Sequence, residues 1–220
     1  MKPYYQHGGI TIYHGDCREI LPTLEGAAAV LVTDPPYGIA FASGHVGHHE
    51  GETIKNDHST ELRDSALALW GKGPALVMGR WSAPRPMGTR MVLTWEKGEH
   101  VGMGDLSLPW KPNTEEVYVI GTGFQGRRMG SVIKAMAVAG CVGSSNTGKR
   151  YHVTEKPLEL MTALLSKCPP GTVIDPFMGS GTTLVAAKNL GRGAIGIETE
   201  ERYCEIAAKR LGQEVLFGVG

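Results

Sequence analysis

The residues best suited to chemistry in this chain are four consecutive ones, Asp34, Pro35, Pro36 and Tyr37. They follow residues 29–33 (AVLVT), a branched apolar run that is typical of a buried parallel strand. Proline fixes φ and has no N–H, so the strand ends here and the residue before the prolines is extended. We therefore expect the Asp34 carboxylate, the Pro35 carbonyl and the Tyr37 ring around one small volume.

Two hydrogen-bond acceptors beside an aromatic face suit a planar group that carries an NH2, such as adenine or cytosine. The amino nitrogen of these bases is a poor nucleophile because its lone pair is delocalised into the ring. If Asp34 and the Pro35 carbonyl accept both amino hydrogens, that lone pair is freed, while Tyr37 stacks on the base for about 1–3 kcal/mol. The stretch indicates alkylation of an amine. A bland alternative is an Asp34 that caps a helix and a Tyr37 that packs at the rim.

A second cluster of polar residues follows a later apolar run. The strand predicted at 171–174 ends in Asp175, and a Gly-Ser-Gly turn at 179–181 leads into a helix that opens at Thr182. Glycines allow close backbone approach, and a helix N-terminus offers N–H groups to a carboxylate. The phosphate-binding G-x-x-x-x-G-K-[ST] pattern is missing here, and G-x-G-x-x-G fails because Leu184 stands at its third glycine. A nucleoside with an amino-acid tail therefore fits better than a nucleotide.

Two further acids stand at predicted strand ends. Glu198 closes the strand after the Gly-Ser-Gly helix, where an acid can accept from both hydroxyls of a ribose. Asp16 follows the first predicted strand, and it either accepts from the amino group of a bound adenine or caps the next helix. Both alternatives for Asp16 stay open from the sequence.

Composition bounds the size and the environment of the protein. The 220 residues suit one α/β domain with a sizeable core, and 22 basic residues balance 22 acidic ones, so contacts to nucleic acid must come from local basic clusters. The four scattered cysteines have no zinc-like spacing and indicate free thiols in a reducing cytosol. Because neither a signal sequence nor an apolar run of about 20 residues is present, we expect a cytoplasmic protein without a membrane partner.

Two segments differ from the rest in composition. Residues 39–60 are rich in Gly, Ser and His and predict a mobile loop that closes over substrate, with metal binding a weaker alternative. Residues 121–150 contain no acidic side chain. Their basic side chains predict contacts to DNA phosphates, although a solvated basic loop is equally compatible. These candidates are Arg127, Arg128, Lys134, Lys149 and Arg150.

Periodicity predicts seven strands alternating with helices. The strands start near residues 10, 29, 74, 90, 115, 172 and 194, and the strand near 115 is expected to pair antiparallel as a hairpin at one sheet edge. Helices are predicted over 18–24, 62–72, 158–168, 182–190 and 200–211. Thr154 is a candidate N-cap and Pro157 a candidate first-turn proline of the third helix. Leu69 is expected on the buried face of the second.

With these residues in hand, the chain resembles the amino-group DNA methyltransferases that use S-adenosylmethionine. Residues 34–37 are similar to their catalytic tetrapeptide and residues 175–183 to their cofactor loop. The catalytic segment precedes the cofactor segment, which is the circularly permuted order of the family's β group. Residues 154–157 (TEKP) are similar to that group's helix that closes over the methionine moiety.

The resemblance implies a Rossmann-like, seven-stranded, mostly parallel sheet with one antiparallel strand, within a single domain over residues 1–220. The catalytic strand and the cofactor strand should then be neighbours, although they are far apart in sequence. The implied catalytic residues are Asp34, Pro35, Pro36 and Tyr37. The implied S-adenosylmethionine site comprises Asp16, Cys17, Asp34, Thr154, Lys156, Pro157, Asp175, Phe177, Met178, Gly179, Ser180, Gly181, Thr182, Thr183 and Glu198.

The implied reaction is direct methyl transfer, without metal, to a base flipped out of DNA. Adenine N6 is preferred because an acid leads the tetrapeptide, whereas cytosine-N4 relatives often carry serine there; cytosine N4 is the alternative. A cofactor- or DNA-binding protein without turnover and a nucleotide-dependent oxidoreductase are the rivals from other classes. A bacterial or phage restriction-modification setting is expected. The short variable segments suggest brief or degenerate DNA recognition, or the help of a second subunit in a homodimer.

Overall fold

A computed structural model describes residues 2–38, 57–99, 101, 104–137 and 155–212 of the protein. Nine strands form one mixed sheet in this part of the chain. In chain order they are β1 Tyr5–His7, β2 Ile10–His14, β3 Val30–Thr33, β4 Ala75–Gly79, β5 Thr89–Glu96, β6 Thr114–Ile120, β7 Val132–Lys134, β8 Val173–Asp175 and β9 Ala194–Glu198. The α-helices are α1 Cys17–Ile20, α2 Glu61–Trp70, α3 Leu158–Leu165, α4 Thr182–Asn189 and α5 Glu201–Gly212, and a 3-10 helix spans Leu21–Leu24.

The strand order is β1-β2-β9-β8-β3-β4-β6-β5-β7, and the five strands from β2 to β4 are parallel. The predicted fold class, a mostly parallel α/β sheet, is confirmed. Strand β3 pairs with β8, so the strands that carry the two motifs are neighbours, as expected. Since both strands are parallel, their C-terminal ends meet at one edge of the sheet, which we call the catalytic edge.

The sheet differs from the prediction in three details. It has two more strands than expected, because β1 and β7 have three residues each and are too short to produce a periodic signal. Two strands run antiparallel rather than one: β6 inside the sheet and β1 at its edge. The β5–β6 hairpin does form, but β6 lies between β4 and β5 and not at the sheet edge.

Two apolar layers cover the sheet because alternate residues of its central strands face opposite sides. Val30 and Val32 pack in the layer that holds the buried faces of α3, α4 and α5. Leu31 faces the other layer, which contains the buried residues of α1 and α2. Both faces of β3 are therefore sealed from water, and its polar residues come only after its last apolar residue. No helix among the described residues is long and apolar enough to cross a membrane.

Helix ends correct three local predictions. The helix expected over 18–24 is divided, because Pro22 cannot donate a backbone hydrogen bond and lies in the first turn of the 3-10 helix that follows α1. Helix α3 begins at Leu158 with Pro157 as its N-cap, so this proline precedes the first turn, and Thr154 lies outside the described residues. Leu69 of α2 is 46% exposed, whereas Arg63 of the same helix is buried.

One arginine joins the start of β8 to the end of α3. The Arg192 guanidinium donates to the carbonyls of Leu165 at 3.0 Å, Pro169 at 2.6 Å and Gly171 at 2.8 Å. The planar fork of arginine suits several fixed acceptors at once. These bonds hold the cofactor strand against the helix that precedes it.

We expect Arg192→Ala to lower the free energy of unfolding by about 2 kcal/mol, because charge-assisted hydrogen bonds to several backbone carbonyls are lost. Urea denaturation followed by circular dichroism measures this change. Lys209→Ala is the control: Lys209 forms an exposed ion pair with Glu205 on α5, and its loss should cost less than about 0.5 kcal/mol. Equal losses of unfolding free energy in the two variants would contradict the conclusion that Arg192 holds β8 against α3.

Candidate active site

Asp34 immediately follows β3 at the catalytic edge and has two close partners. Its Oδ2 atom lies 2.6 Å from Lys156 Nζ, which comes from the segment before α3, 122 positions later in the chain. The Tyr37 hydroxyl donates to Asp34 Oδ1 at 2.7 Å. The Lys156 side chain is 7% exposed and that of Asp34 is 23% exposed, so this ion pair is largely removed from water.

A second acid extends the cluster from the neighbouring part of the sheet. Glu115, near the start of β6, accepts from the Tyr37 hydroxyl at 3.1 Å and lies 3.4 Å from Lys156 Nζ. Its other oxygen lies 2.6 Å from Lys97 Nζ. The Lys156 ammonium is 5.4 Å from the centre of the Tyr37 ring, a cation–π distance. Two carboxylates, two ammonium groups and one phenol thus share one pocket.

The proton affinities in this cluster follow from burial and mutual charge. Burial raises the pKa of Asp34, the Lys156 ammonium opposes this rise, and the Glu115 carboxylate adds to it. Burial disfavours the Lys156 ammonium, but Asp34 and Glu115 outweigh it and raise the pKa of Lys156. Burial also favours neutral Glu115, yet Lys156 and Lys97 prevail and lower the pKa of Glu115. The charged forms of Lys156 and Glu115 are therefore favoured, whereas the ionised form of Asp34 is on balance disfavoured by burial.

Asp175 ends β8 next to Asp34 and is held by three donors. The Thr33 hydroxyl donates to its Oδ1 at 2.6 Å, the Phe177 N–H donates to the same atom at 3.1 Å, and the Thr183 side chain also bonds to it. The residue is 2% exposed. Burial raises the pKa of Asp175 to about 6, although the three hydrogen bonds oppose the rise.

The glycine turn after β8 is shaped by two contacts. Gly181, the N-cap of α4, has φ +83°, and a Cβ atom there would lie 2.8 Å from Ala207 Cβ of α5, so a larger residue does not fit. Glu198 at the end of β9 accepts from the Gly179 N–H at 3.0 Å and from the Glu200 N–H at 2.8 Å. Burial raises the pKa of Glu198. Its carboxylate keeps further lone pairs for a ligand.

Arg210 of α5 ties the glycine turn to the segment that carries Lys156. Its guanidinium donates to the Ser180 carbonyl at 2.7 Å and lies 2.9 Å from Glu155 Oε1. The Thr182 hydroxyl donates to the same Glu155 oxygen at 3.4 Å. The side chains of Arg210 and Glu155 are 13% and 7% exposed. The two predicted parts of the cofactor site are thereby brought into contact.

Other predicted cofactor residues occupy varied environments. Asp16 caps α1 by accepting from the Arg18 N–H at 2.8 Å, and its side chain also pairs with the Arg18 guanidinium. Cys17 is buried, which raises the pKa of its thiol to about 12. Met178 is buried and Phe177 packs partly buried against the α1–α2 layer.

The predicted DNA contacts fall only partly within the described chain. Arg127 and Arg128 are exposed between β6 and β7, and Lys134 of β7 lies 3.5 Å from Glu96. Lys149 and Arg150 lie outside the described residues, as do residues 39–56 of the predicted mobile loop. Within the described ranges, no three His, Cys, Asp or Glu side chains are grouped so that they could hold a metal ion.

Sequence reasoning missed Lys97 and Glu115, which complete the cluster around Asp34. It also missed Arg210, whose partner Glu155 was noted only as a member of residues 154–157. The available signal was strand direction: the first residues of an antiparallel strand lie at the same edge as the last residues of its parallel neighbours. An acid at the start of β6 was therefore as well placed as an acid at the end of β3. The β5–β6 connection also carries exposed apolar side chains at this edge, which are Leu106, Leu108 and Trp110.

A parallel sheet with an acid-proline-proline-tyrosine end beside a glycine turn defines an α/β methyltransferase, and comparison with known proteins agrees. Residues 89–209 match the family model N6_N4_Mtase, described as DNA methylase. The chain belongs to this family, whose members are S-adenosylmethionine-dependent, site-specific DNA methyltransferases that modify adenine N6 or cytosine N4. The resemblance inferred from the sequence is confirmed.

Curated relatives and solved structures are similar over nearly the whole chain. The type II methyltransferase M2.LlaDCHI of Lactococcus lactis subsp. cremoris is 43% identical over 258 residues, covering 99% of this chain and 95% of the relative. The putative methylase YubD of Escherichia coli (strain K12) is 29% identical over 209 residues, covering 90% and 88%. The PvuII DNA methyltransferase (cytosine-N4-specific) has TM-score 0.72 at 15% identity, covering 99% of this chain and 91% of that one, and shares the fold.

S-adenosylmethionine is the cofactor of this family, and the predicted cofactor is confirmed. A structure of the M1.HpyAVI–SAM complex has TM-score 0.64 at 24% identity, covering 93% of this chain and all of that one. The residues present here suit such a molecule. Gly179 has open space where a side chain would stand, and Glu198 offers a partly buried carboxylate beside it. When bound, this cofactor supplies an electrophilic methyl group.

We expect Asp175→Asn to change the pH dependence of stability. Because the folded-state pKa of about 6 lies above the usual value, the folded protein binds this proton more tightly, and its stability falls as pH rises from about 4 to about 6. The amide does not ionise. Relative to the wild type, the variant should therefore gain about 2–3 kcal/mol between pH 4 and pH 7, measured by urea denaturation. If the difference in the free energy of unfolding between the variant and the wild type does not change with pH, burial does not raise the pKa of Asp175.

Proposed function

We propose that this protein methylates the N6 amino group of adenine in DNA, with cytosine N4 as the alternative target. The observation that carries the proposal is the position of Asp34, a partly buried carboxylate at the C-terminal end of β3, beside the tyrosine of the same motif and next to the cofactor strand β8. An acid at this position favours adenine over cytosine, because the motif resembles that of adenine-directed members.

The proposed roles follow from the acceptor capacity of the site. An ionised carboxylate has about four lone-pair positions, and each Asp34 oxygen has one described partner, Lys156 or Tyr37. Capacity therefore remains for an amino hydrogen of the flipped base, with the Pro35 carbonyl accepting the other. Asp34 and the Pro35 carbonyl would hold the amino nitrogen with its lone pair towards the methyl group that bound S-adenosylmethionine would supply. Asp34 would then accept the amino proton that is lost as the cofactor leaves as a neutral thioether. Fixed acceptors lower the barrier because they need no reorganisation.

The cofactor roles are assigned to the residues around the glycine turn. Glu198 is proposed to bind the ribose hydroxyls, and the turn at 179–181 to approach the amino-acid tail. Asp16 would bind the adenine of the cofactor only by sharing its carboxylate with Arg18. Lys156 is proposed to act on Asp34 and not on the cofactor, because its ammonium lies 2.6 Å from that carboxylate.

DNA is proposed to bind across the catalytic edge. The exposed Trp110 on the β5–β6 connection offers a stacking face at this edge. Arg127 and Arg128 follow β6 at the opposite edge of the sheet, where the Arg127 carbonyl accepts from Lys167 just after α3, so they would contact phosphates of DNA that extends around the protein. Formal net charge is zero, so the affinity must come from such local contacts. A bacterial or phage restriction-modification setting and help from a second subunit are parts of the same proposal.

The target base is identified by incubating the protein with DNA and methyl-labelled S-adenosylmethionine, followed by digestion to nucleosides. Label in N6-methyl-2′-deoxyadenosine is expected. Label in N4-methyl-2′-deoxycytidine would move the assignment to the alternative base. Cofactor binding without any incorporation would instead indicate a binding protein that lacks turnover.

Asp34→Ala should reduce the rate of methyl transfer by at least about 100-fold, because an acceptor that matches the developing charge is removed. The fold should persist, since Lys156 keeps Glu115 as a partner. Label incorporation measures the rate, and thermal unfolding checks the fold. Glu205→Ala, an exposed change on α5, is the control and should leave the rate unaltered. Wild-type activity in Asp34→Ala would sink the proposed mechanism.

The double substitution Arg127→Ala/Arg128→Ala should weaken DNA binding at all sequences alike. Loss of two phosphate contacts should reduce the slope of log K against log salt by about 2. Fluorescence anisotropy with duplex DNA at several salt concentrations measures both quantities. Lys209→Ala serves as the control, because it removes an exposed basic side chain that pairs with Glu205 on α5. An unchanged salt slope in the double variant would exclude these arginines from the DNA interface.

A further inference from the structure

Glu115 belongs to neither sequence motif, yet it contacts the group that the tetrapeptide presents. It is the second residue of β6 and lies opposite Trp95 of β5. Because β6 runs antiparallel, its first residues reach the catalytic edge. The Glu115 side chain is 17% exposed, so water screens its charge only weakly.

Glu115 and Asp34 share the same two partners. The Tyr37 hydroxyl lies 2.7 Å from Asp34 and 3.1 Å from Glu115, and Lys156 Nζ lies 2.6 Å from Asp34 and 3.4 Å from Glu115. Lys97 Nζ, 2.6 Å from Glu115, balances the second acid. Among the residues that the structure describes, the titratable groups that face Asp34 are Tyr37, Glu115 and Lys156, with Asp175 as the next acid on β8.

The strength with which a carboxylate accepts a hydrogen bond depends on the charged groups that it already contacts. A carboxylate that faces a buried ammonium alone is partly neutralised, and it accepts a further hydrogen bond less strongly. A second carboxylate on the same ammonium offsets this effect. Because the two acids and the two lysines carry equal and opposite charges, the desolvation penalty of burying them is offset by their mutual attraction.

We propose that Glu115 is a positioning residue of the methyl-transfer reaction: by drawing the Lys156 ammonium and the Tyr37 hydroxyl towards β6, it keeps the Asp34 carboxylate an effective acceptor for the target amino group. The inference rests on the acceptor role proposed for Asp34. Lys97 acts in the opposite sense, because it withdraws the charge of Glu115 from Lys156.

The test compares Glu115→Gln and Lys97→Gln in two ways. The pKa of Asp34 is measured directly by NMR titration of 13C-labelled aspartate carboxyls, with the Asp34 signal assigned from its absence in Asp34→Ala, and kcat is measured against pH with saturating DNA and cofactor. Glu115→Gln removes the charge that raises the pKa of Asp34, so both the titration and the acid limb of kcat should move to lower pH. At the pH optimum, kcat should fall about 10-fold, with KM for DNA changed less.

Lys97→Gln should move the Asp34 titration and the acid limb to higher pH, because it exposes Asp34 to the full charge of Glu115. Glu116→Gln is the matched control: Glu116 is the next residue on β6 and pairs with Arg85 instead, so neither quantity should shift. An Asp34 titration that Glu115→Gln and Lys97→Gln leave in place would overturn the proposal.

The two measurements distinguish the positioning role of Glu115 from the acceptor role proposed for Asp34. The NMR titration needs no turnover, so it tests the coupling of Glu115 to Asp34 even if the wild type does not methylate the DNA supplied. If Glu115→Gln does not fold, the Lys97→Gln shift decides alone. A fall in kcat with normal titration of Asp34 would assign Glu115 a purely structural role and refute the positioning role.

Discussion

The buried ion pair between Asp34 and Lys156 is the contact on which the rest of the site depends. It joins the end of β3 to the segment before α3, which are 122 positions apart in the chain, across the pairing of β3 with β8. A lone carboxylate or ammonium at this depth would be strongly disfavoured, so each requires the other. The position of the acid, the entry of α3 and the closure of the glycine turn through Glu155 and Arg210 are consequently linked.

Burial also determines how the charges of the cluster around Asp34 interact. Five titratable side chains lie within hydrogen-bonding or ion-pair distance of one another, and their formal charges cancel. Preorganised acceptors of this kind favour a reaction in which positive charge appears on an amino nitrogen, because no dipoles need to turn as it develops. The cofactor half contributes two further acids, the buried Asp175 and the partly buried Glu198, each with backbone or hydroxyl donors.

Much of this arrangement could be predicted from the sequence where local signals were strong. The runs that become β3, β8 and β9 are largely apolar because both faces of the sheet are covered; β8 and β9 end in an acid, and an acid directly follows β3. Strands β1 and β7 were not predicted, because a strand of three residues is too short to show hydrophobic periodicity. The place of β6 and the partner of Lys156 were missed for another reason: both are set by pairings between distant segments, on which local composition is silent. The roles of the site residues themselves stay predictions.

The strand order makes completion of the protein a late event in its synthesis. Strands β8 and β9 fill the space between β2 and β3, so residue 10 cannot pair with residue 194 until β9 has been synthesised. Until then the growing chain holds β2 and β3 with open edges, and long-range pairings of this kind slow folding. No half-length product can contain both the base pocket and the cofactor pocket. Modifying activity therefore requires that the chain up to Glu198 has left the ribosome.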